Sequence, residues 1–327
     1  MQRQSPSRRG FLGLVGAALA CPALASPTLA RTAAPGILTG DAFGTTWRLV
    51  GPADAPLDRL RPALDALFAS IDADLSPWRR DSVAGRFNAS VAGVPASTEM
   101  MHVTQAALRL AAASDGAFDP TVGPLVARWG FGPIDGGDLP DWRGVQVQPG
   151  KITKARADLT LDLCGIAKGR ALDRATALAR DVGLNSLLLD LGGELGALGR
   201  HPSGRAWHVA VEHPLADLAP AAVLHLPGGM TVATSGLSAQ SYTLGTRRWG
   251  HIINPNSRSP VNGRLRSVTV LADDAMTADG WATALFAAGD EAGPDLARAR
   301  GIAALFLFEG GSALRRVATG GIAEVLT

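Results

Sequence analysis

Apolar residues recur along this chain with two different periodicities, and segments of the two kinds follow one another in no regular order. Leucine, phenylalanine and isoleucine at three- and four-residue spacing between residues 57 and 71 predict an amphipathic helix. Residues 186–191 and 302–308 are short apolar runs typical of buried strands, and residues 266–272 alternate as a strand does. Because strands and helices do not alternate regularly, an α+β fold is favoured over a doubly wound parallel sheet.

Further predicted elements fill most of the chain between these segments. The pattern predicts helices over residues 100–113, 166–182 and 275–288, and strands over 207–212, 221–226 and 230–233. Ser97 or Thr98 begins the first of these helices, and Gly183 ends the second. Residues 119–150 are rich in Pro and Gly but contain three large aromatic side chains, which predicts an ordered, irregular stretch.

The N-terminus has the three-part layout of a secretory signal. Arg8 and Arg9 precede an uncharged, small and apolar run over residues 11–25, which is too short to span a bilayer. Paired arginines before Phe-Leu are typical of twin-arginine signals, which predicts export to the periplasm, with cleavage after Ala25 or Ala30. We assign residues 1–30 to the signal, 31–37 to a linker and 38–327 to a single domain.

Cysteine use agrees with export. Removal of the signal also removes Cys21 and leaves Cys164 alone, so no internal disulfide can form in the mature chain. In the less favoured alternative Cys21 is a lipidated first residue and the protein is membrane-associated. That alternative is weakened by Ala18, which stands where a lipoprotein signal has a large apolar residue.

Charge excludes one class of partner. Residues 1–30 contain three arginines and no acid, so the mature chain has 28 basic and 29 acidic residues. A net charge near −1 argues against a general nucleic-acid or anionic-membrane binder. No transmembrane segment is expected after signal cleavage.

Four short segments contain more Gly, Asp, Thr and His than a packed core needs. In the first, residues 116–125, glycines allow the backbone to approach a ligand, and Phe118 and Asp119 offer an apolar face and a carboxylate. A turn around a buried Phe explains this segment equally well.

The second segment, residues 161–173, predicts a strand carrying Asp162 that turns through Gly165 into a helix carrying Lys168. Free backbone groups and one lysine would gather there, where an anion or metal can bind. The spacing is not that of a phosphate-binding Walker loop. The simpler alternative is a lysine whose apolar stem lies along the helix surface while its ammonium reaches solvent.

The third segment combines residues 233–236 with residues 249–255, which include His251. A histidine between Gly and a β-branched pair is either a satisfied core side chain or a catalytic group, and the residues alone leave both open. In the fourth segment, residues 277–283, Asp279 and Thr283 lie four apart and therefore on one helix face. Such hard oxygen ligands suit Mg²⁺, although a side-chain hydrogen bond that bends the helix is the alternative.

Taken together and in order, these blocks resemble the FAD:protein FMN transferase (ApbE) family. The resemblance extends from about residue 40 to 310 and is carried by FGTTW at 43–47, LSPWRRDS at 75–82, GAFDPTVGPL at 116–125, LDLCGIAKGRALD at 161–173, LDLGGE at 189–194, ATSG at 233–236, HIINP at 251–255 and TADGWAT at 277–283. It implies one T-fold-like catalytic domain with mixed or antiparallel sheets and packed helices.

The resemblance also implies a site. FAD is expected to contact Phe43, Trp78, Ala117, Phe118, Asp119, Asp162, Lys168 and Ile253. Mg²⁺ is expected to be held by the main-chain oxygen of Gly165 and the side chains of Asp279 and Thr283, and these hard oxygen atoms are few enough to leave positions for phosphate oxygens and water.

The implied reaction is attack by a Ser or Thr hydroxyl of a target protein on the FMN-side phosphorus of FAD, with AMP leaving. The metal and Lys168 would neutralise charge on the phosphate oxygens. His251 is the first candidate for the proton acceptor because its reference pKa is roughly 6.5. Asp119 or Asp162 is the second.

Four residues depart from the family pattern as it is usually written. Cys164 stands where Gly or Ser is commoner, Trp78 stands where Tyr is usual, Asn254 replaces an Asp, and Glu194 stands in for Asp or Asn. None of these changes removes an expected metal ligand or His251. Asn254 does weaken any proposal that a carboxylate at that position takes part.

Two other functions compete with the transferase. With water as acceptor, the same site would split FAD into FMN and AMP; alternatively, a non-catalytic protein would bind flavin and deliver it to a redox complex. Neither the dinucleotide fingerprint nor the P-loop spacing is present, which disfavours a lone NAD or ATP enzyme. The signal favours a periplasm-facing respiratory flavoprotein as target, such as one in nitrous-oxide reduction or an ion-pumping oxidoreductase.

Overall fold

The computed structural model describes residues 34–137, 139–214, 219–238, 240–245, 247–311 and 313–327. The predicted signal, with Cys21, lies outside these residues. The described residues belong to one unit, Ala34–Thr327. Among them, no helix is both long enough and apolar enough to cross a bilayer.

Within the described residues the largest sheet has eight strands, and every neighbouring pair is antiparallel. In their order across the sheet, the strands are β1 (Gly36–Ala42), β2 (Thr45–Gly51), β6 (Leu187–Leu191), β7 (Glu194–Leu198), β10 (Thr231–Gly236), β15 (Leu265–Ala272), β16 (Ala303–Phe308) and β17 (Arg315–Thr319). This antiparallel sheet, with helices packed on it, confirms the α+β prediction.

The turn between β6 and β7 shows how sequence sets this topology. Leu191 pairs with Glu194, so only Gly192 and Gly193 lie between the strands. Both glycines have positive φ, 63° and 103°. A two-residue hairpin turn needs this backbone, and glycine adopts it without steric cost.

The sheet buries a different core on each face. On β6, Leu187 and Leu189 belong to the main core beneath the helices, whereas Leu188 belongs to a second core. This division follows the two-residue period of a strand. The second core lies against a hairpin of β8 (Trp207–Val211) and β9 (Ala222–Leu226).

The helices supply the apolar side of the main core. They are α1 (Arg61–Leu75), α2 (Val83–Ala89), α3 (Thr98–Ala113), α4 (Gly123–Arg128), α5 (Cys164–Asp181), α6 (Ala275–Ala288) and α7 (Ala292–Arg300). Smaller antiparallel sheets are formed by β3 (Gly93–Pro95), β4 (Val145–Gln148) and β5 (Lys151–Lys154), by β11 (Ser241–Leu244) with β12 (Arg247–Gly250), and by β13 (Ile253–Asn254) with β14 (Ser259–Pro260).

Several predicted boundaries need correction. The Leu57–Leu60 segment is a 3-10 turn ahead of α1, although its leucines are buried as the stripe predicts. The predicted linker ends too late, because Gly36 and Ile37 already pair with Gly51 and Val50 in the sheet. The helix predicted from residue 166 begins at Cys164, which places Gly165 inside its first turn.

No strand carries Asp162, contrary to the prediction. The backbone there is satisfied by other groups. The Asn88 side chain accepts from Leu161 N at 2.7 Å and donates to Leu161 O at 3.0 Å, and Asp162 N donates to Pro120 O at 2.7 Å. Because these backbone groups must be paired when buried, the amide and the carbonyl replace a neighbouring strand.

Helices α5 and α6 approach each other closely at Gly169. A Cβ at this position would lie 2.2 Å from the Ala275 carbonyl oxygen and 2.8 Å from Asp279 Cβ. The Asp173 carboxylate in turn accepts from the first amides of α6, Ala275 N at 2.7 Å and Met276 N at 3.0 Å. Each helix therefore takes part in the hydrogen bonding of the other.

Gly169→Ala is expected to destabilise the protein by about 1–3 kcal/mol, because backbone must move to accept the added methyl group. Helix propensity alone would give the opposite sign, a gain of about 1 kcal/mol. Urea unfolding measures the difference. The exposed Ala177 of the same helix provides the control, since Ala177→Gly reports propensity alone. Equal or higher stability of Gly169→Ala would contradict the close-approach argument.

Candidate active site

A cleft of about 1710 Å³ lies beside the N-terminus of α5. Every residue that the sequence singled out for the site lines it: Phe43, Trp78, Ala117, Phe118, Asp119, Asp162, Gly165, Lys168, His251, Ile253, Asp279 and Thr283. These residues lie up to 240 positions apart in the sequence and belong to helices, a short strand and loops. The structure brings them together, while their individual roles stay predictions.

The start of α5 is fixed by its neighbours. Asp162 Oδ1 accepts from Cys164 N at 3.0 Å, and the Asp162 amide donates to Pro120 in the 116–125 segment. Asp162 therefore connects the first turn of α5, which contains Gly165, to the 116–125 segment by hydrogen bonds. A helix N-terminus held in this way presents backbone dipole to the cleft.

Asp279 is buried on α6 and lines the cleft. Its Oδ2 accepts from Gly169 N at 2.9 Å. In a regular α-helix that amide donates to the carbonyl of residue 165; here it donates to the Asp279 carboxylate on the neighbouring helix. Burial raises the pKa of Asp279, and Lys168 and the Gly169 amide oppose that rise.

Thr283 lies one turn after Asp279, beside Gly165. Its Oγ1 is 3.2 Å from Ser235 Oγ, and a Cβ on Gly165 would lie 3.0 Å from Thr283 Cγ2 and 3.2 Å from Thr283 Oγ1. The Thr283 side chain therefore lies against the first turn of α5, one helical turn after Asp279. No cluster of three or more His, Cys, Asp or Glu suited to a metal occurs in the described residues. Of Gly165, Asp279 and Thr283, only Asp279 is one of these four residue types.

Lys168 projects from α5 and forms an ion pair with Glu194 at the start of β7. Burial alone would lower the pKa of Lys168, but the Glu194 and Asp279 carboxylates outweigh it and raise this pKa. The side chain therefore carries an ammonium group on the wall of the cleft.

His251 follows β12 and faces the cleft. Its Nδ1 lies 3.1 Å from the Gln240 carbonyl oxygen, and its ring meets the Phe131 ring edge-on, with centroids 6.3 Å apart. Because a carbonyl only accepts, Nδ1 carries the proton in the neutral ring and Nε2 has a free lone pair. Burial lowers the pKa of His251 and favours this neutral form.

This constellation can be compared with known proteins. The sequence model of the ApbE family matches residues 43–306. The chain belongs to the ApbE family. A relative named FAD:protein FMN transferase from Vibrio cholerae is 33% identical over 288 residues, which cover 83% of this chain and 86% of the relative. The Escherichia coli K12 protein of the same name is 32% identical and covers 85% and 86%.

Solved ApbE structures have the same fold. The flavin transferase ApbE from Vibrio cholerae superposes with a TM-score of 0.79 at 29% identity, covering 89% of this chain and 99% of that one. The apo flavinyl transferase ApbE from Pseudomonas stutzeri also gives 0.79, at 34% identity, with 89% and 96% covered. The family assignment and the α+β fold are therefore confirmed.

Two residues of the 116–125 segment, Phe118 and Asp119, line this ApbE cleft with mostly buried side chains. Phe118 is buried, and a Cβ on Gly165 would lie 3.2 Å from its ring. Asp119 is also buried, and its Oδ1 accepts from Thr121 N at 2.8 Å and from Thr121 Oγ1 at 2.6 Å. Burial raises the pKa of Asp119, and Thr121 opposes that rise. With one oxygen doubly occupied, Asp119 is less available as a proton acceptor than His251.

Asn254, a departure from the usual ApbE pattern, has a structural explanation. Its Oδ1 accepts from Asn256 N and Ser257 N at 2.9 and 3.0 Å, as a carboxylate would. Its Nδ2 also donates to the Ala287 carbonyl at 2.9 Å, which Asp could not do while ionised. The side chain therefore holds the turn after the buried Ile253.

Residue-level reasoning missed two contributors to the cleft of this ApbE protein. Glu194 entered only as a departure from the family pattern, although an acid directly after Gly192-Gly193 and an apolar run was a usable signal. Gln240 acts through its main-chain carbonyl. Nothing in the sequence marks a backbone group as the partner of His251.

Proposed function

We propose that this ApbE-family protein transfers FMN from FAD to a Ser or Thr hydroxyl of a partner protein and releases AMP. The observation that carries the proposal is the convergence of Asp279, Thr283, Gly165, Lys168 and His251 on one cleft. The names of the homologous transferases support the same activity.

The chemistry assigns distinct tasks to the side chains. The acceptor oxygen attacks the FMN-side phosphorus, a new phosphoester bond forms, and the bond from that phosphorus to the bridging oxygen breaks. AMP leaves with the bridging oxygen. His251 Nε2 takes the hydroxyl proton. The Lys168 ammonium stabilises the negative charge on the phosphate oxygens.

The donor set fits Mg²⁺, and its presence is part of the proposal. Gly165 would contribute its carbonyl, Asp279 its carboxylate and Thr283 its hydroxyl. When bound, the cation supplies charge neutralisation at the pyrophosphate. The protein's own contribution is to hold these three groups together in a buried wall of the cleft.

Purified protein incubated with FAD, Mg²⁺ and a candidate acceptor domain tests the proposal. The expected product is acceptor that carries covalent flavin, detected by mass spectrometry, together with AMP. Free FMN with an unmodified acceptor would instead identify an FAD hydrolase. A non-catalytic flavin-binding factor predicts instead that partner maturation in cells stays intact with the Asp279→Ala and His251→Ala variants.

Trp78 is expected to provide a stacking surface for the flavin, because its side chain is 64% exposed at the cleft. Trp78→Ala should weaken FAD binding by about 1–2 kcal/mol, or about five- to thirtyfold. Flavin fluorescence quenching measures the affinity. Trp78→Tyr, which keeps an aromatic face, is the control and should remain within about threefold. An unchanged affinity for Trp78→Ala would place the flavin elsewhere.

We also propose a periplasmic location and a periplasm-facing respiratory flavoprotein as target. The support is the twin-arginine pattern of residues 1–30, which lie outside the described residues. Replacement of Arg8 and Arg9 by lysine should retain the protein in the cytoplasmic fraction. Loss of an FMN adduct from a periplasm-facing protein in a deletion strain would identify the target, and an unchanged flavin pattern would contradict the proposal.

A further inference from the structure

Glu194 is a buried carboxylate that the reaction as described does not use. It is the first residue of β7, fixed in position by the Gly192-Gly193 turn and by its pairing with Leu191. Its side chain is 3% exposed and lines the cleft. Buried acids are rare in proteins unless they are paired, so its environment calls for a physical explanation.

The two oxygens of Glu194 are in different situations. Oε1 contacts Lys168 Nζ, whereas Oε2 is buried and has no hydrogen-bond partner. An unsatisfied buried oxygen costs about 1–3 kcal/mol, and more when it is charged. Stability alone therefore does not explain a glutamate at position 194.

The contact with Glu194 restricts the position of the Lys168 side chain. Its side chain is 31% exposed, so the ion pair runs from the buried carboxylate to an ammonium at the cleft surface. A free lysine side chain has about 2 kcal/mol of rotamer entropy and no fixed direction. Contact with a buried carboxylate restricts the ammonium to one place, within the electrostatic influence of Asp279.

We propose that Glu194 is a positioning residue that fixes the Lys168 ammonium against the phosphates of the bound nucleotide. The inference rests on the proposed function and names an additional residue of the same site. Burial raises the pKa of Glu194 to about 8 and the Lys168 ammonium opposes that rise, so Glu194 holds the ammonium but does not itself attract the nucleotide. Its contribution is the direction of a catalytic cation, so it should affect turnover and not ground-state affinity.

A double-mutant cycle of Glu194→Gln and Lys168→Met tests this coupling, with kcat for flavin transfer and FAD affinity in EDTA as separate readouts. We expect Glu194→Gln to lower kcat about ten- to a hundredfold, since misplacement by an ångström has effects of that order. FAD affinity in EDTA should stay within about twofold or increase. In the Lys168→Met background, Glu194→Gln should change kcat by less than about twofold.

Glu99→Gln is the matched control. Glu99 pairs with Arg170 and Arg174 on the same helix as Lys168 but does not line the cleft. Its removal should leave kcat unchanged. If Glu194→Gln does not fold, Glu194→Asp serves, because it keeps the charge but withdraws the carboxylate by one methylene group and should also lower kcat.

Wild-type kcat in a folded Glu194 variant would overturn the inference, as would equal fold-losses from Glu194→Gln in the wild-type and Lys168→Met backgrounds. Parallel loss of kcat and FAD affinity would indicate a merely structural role and would also overturn it. Each of these results presupposes a wild-type protein that transfers flavin. A wild-type protein that transfers none would defeat the proposed function instead.

Discussion

Asp279→Asn is expected to reduce flavin transfer by about 100- to 1000-fold, the loss typical when a preorganised charge at a reacting phosphate or oxyanion is removed. Asparagine keeps an acceptor oxygen for the Gly169 amide, so the α5–α6 contact can persist while the carboxylate charge is lost. The measurement is the initial rate of covalent flavin incorporation into an acceptor domain at saturating FAD. Mg²⁺-dependent strengthening of FAD binding should be lost in the same variant.

Asp274→Asn is the control for this experiment. Asp274 caps the same helix through Thr277 N at 2.8 Å, and asparagine caps equally well. The two variants thus change one charge each on α6, and only one of them faces the cleft. Near-wild-type transfer by Asp279→Asn, with Mg²⁺ still required, would show that the cation is held by other residues.

His251→Gln is expected to lower transfer by about 10²- to 10⁴-fold and to change its dependence on pH. A base must be deprotonated to act. Burial lowers the pKa of His251 from its ordinary value of 6.5, Lys168 lowers it further, and the Gln240 carbonyl and Asp162 oppose this. Wild-type activity should therefore rise with pH through a midpoint below 6.5 and be complete at neutrality.

The variant should lose that acid limb along with most of its rate. His102→Gln is the control, because burial also lowers the pKa of His102 on α3, yet this residue does not line the cleft. Its pH profile should match that of the wild type. An acid limb that persists unchanged in His251→Gln would assign the proton to another group, with Asp162 the next to test.

Helices were easier to predict than strands, for physical reasons. Helix α6 spans the predicted residues because Asp274 caps it and Gly289, with φ of 87°, ends it. Strand β1 was missed because Leu38 is its only fully buried residue, so the chain shows no alternation. The short hairpin β11–β12 is mostly exposed and gives no apolar pattern either.

The site was predicted in part from residues and in part from resemblance. Helical spacing alone put Asp279 and Thr283 on one face, but the same spacing is compatible with a bent helix, and the family pattern was needed to favour a metal. The Lys168–Glu194 pair joins a helix to a strand 26 residues later. Contacts of this kind depend on tertiary packing, which local sequence does not encode.

The reciprocal hydrogen bonds between α5 and α6 link formation of the site to folding of the chain. Asp173 holds the first turn of α6, and Asp279 holds an amide of α5. Both contacts join the two helices directly, so they form as the chain folds. Folding of this chain therefore fixes the contact between α5 and α6 at the cleft, and the proposed twin-arginine export, which moves folded chains, would carry that contact intact across the membrane.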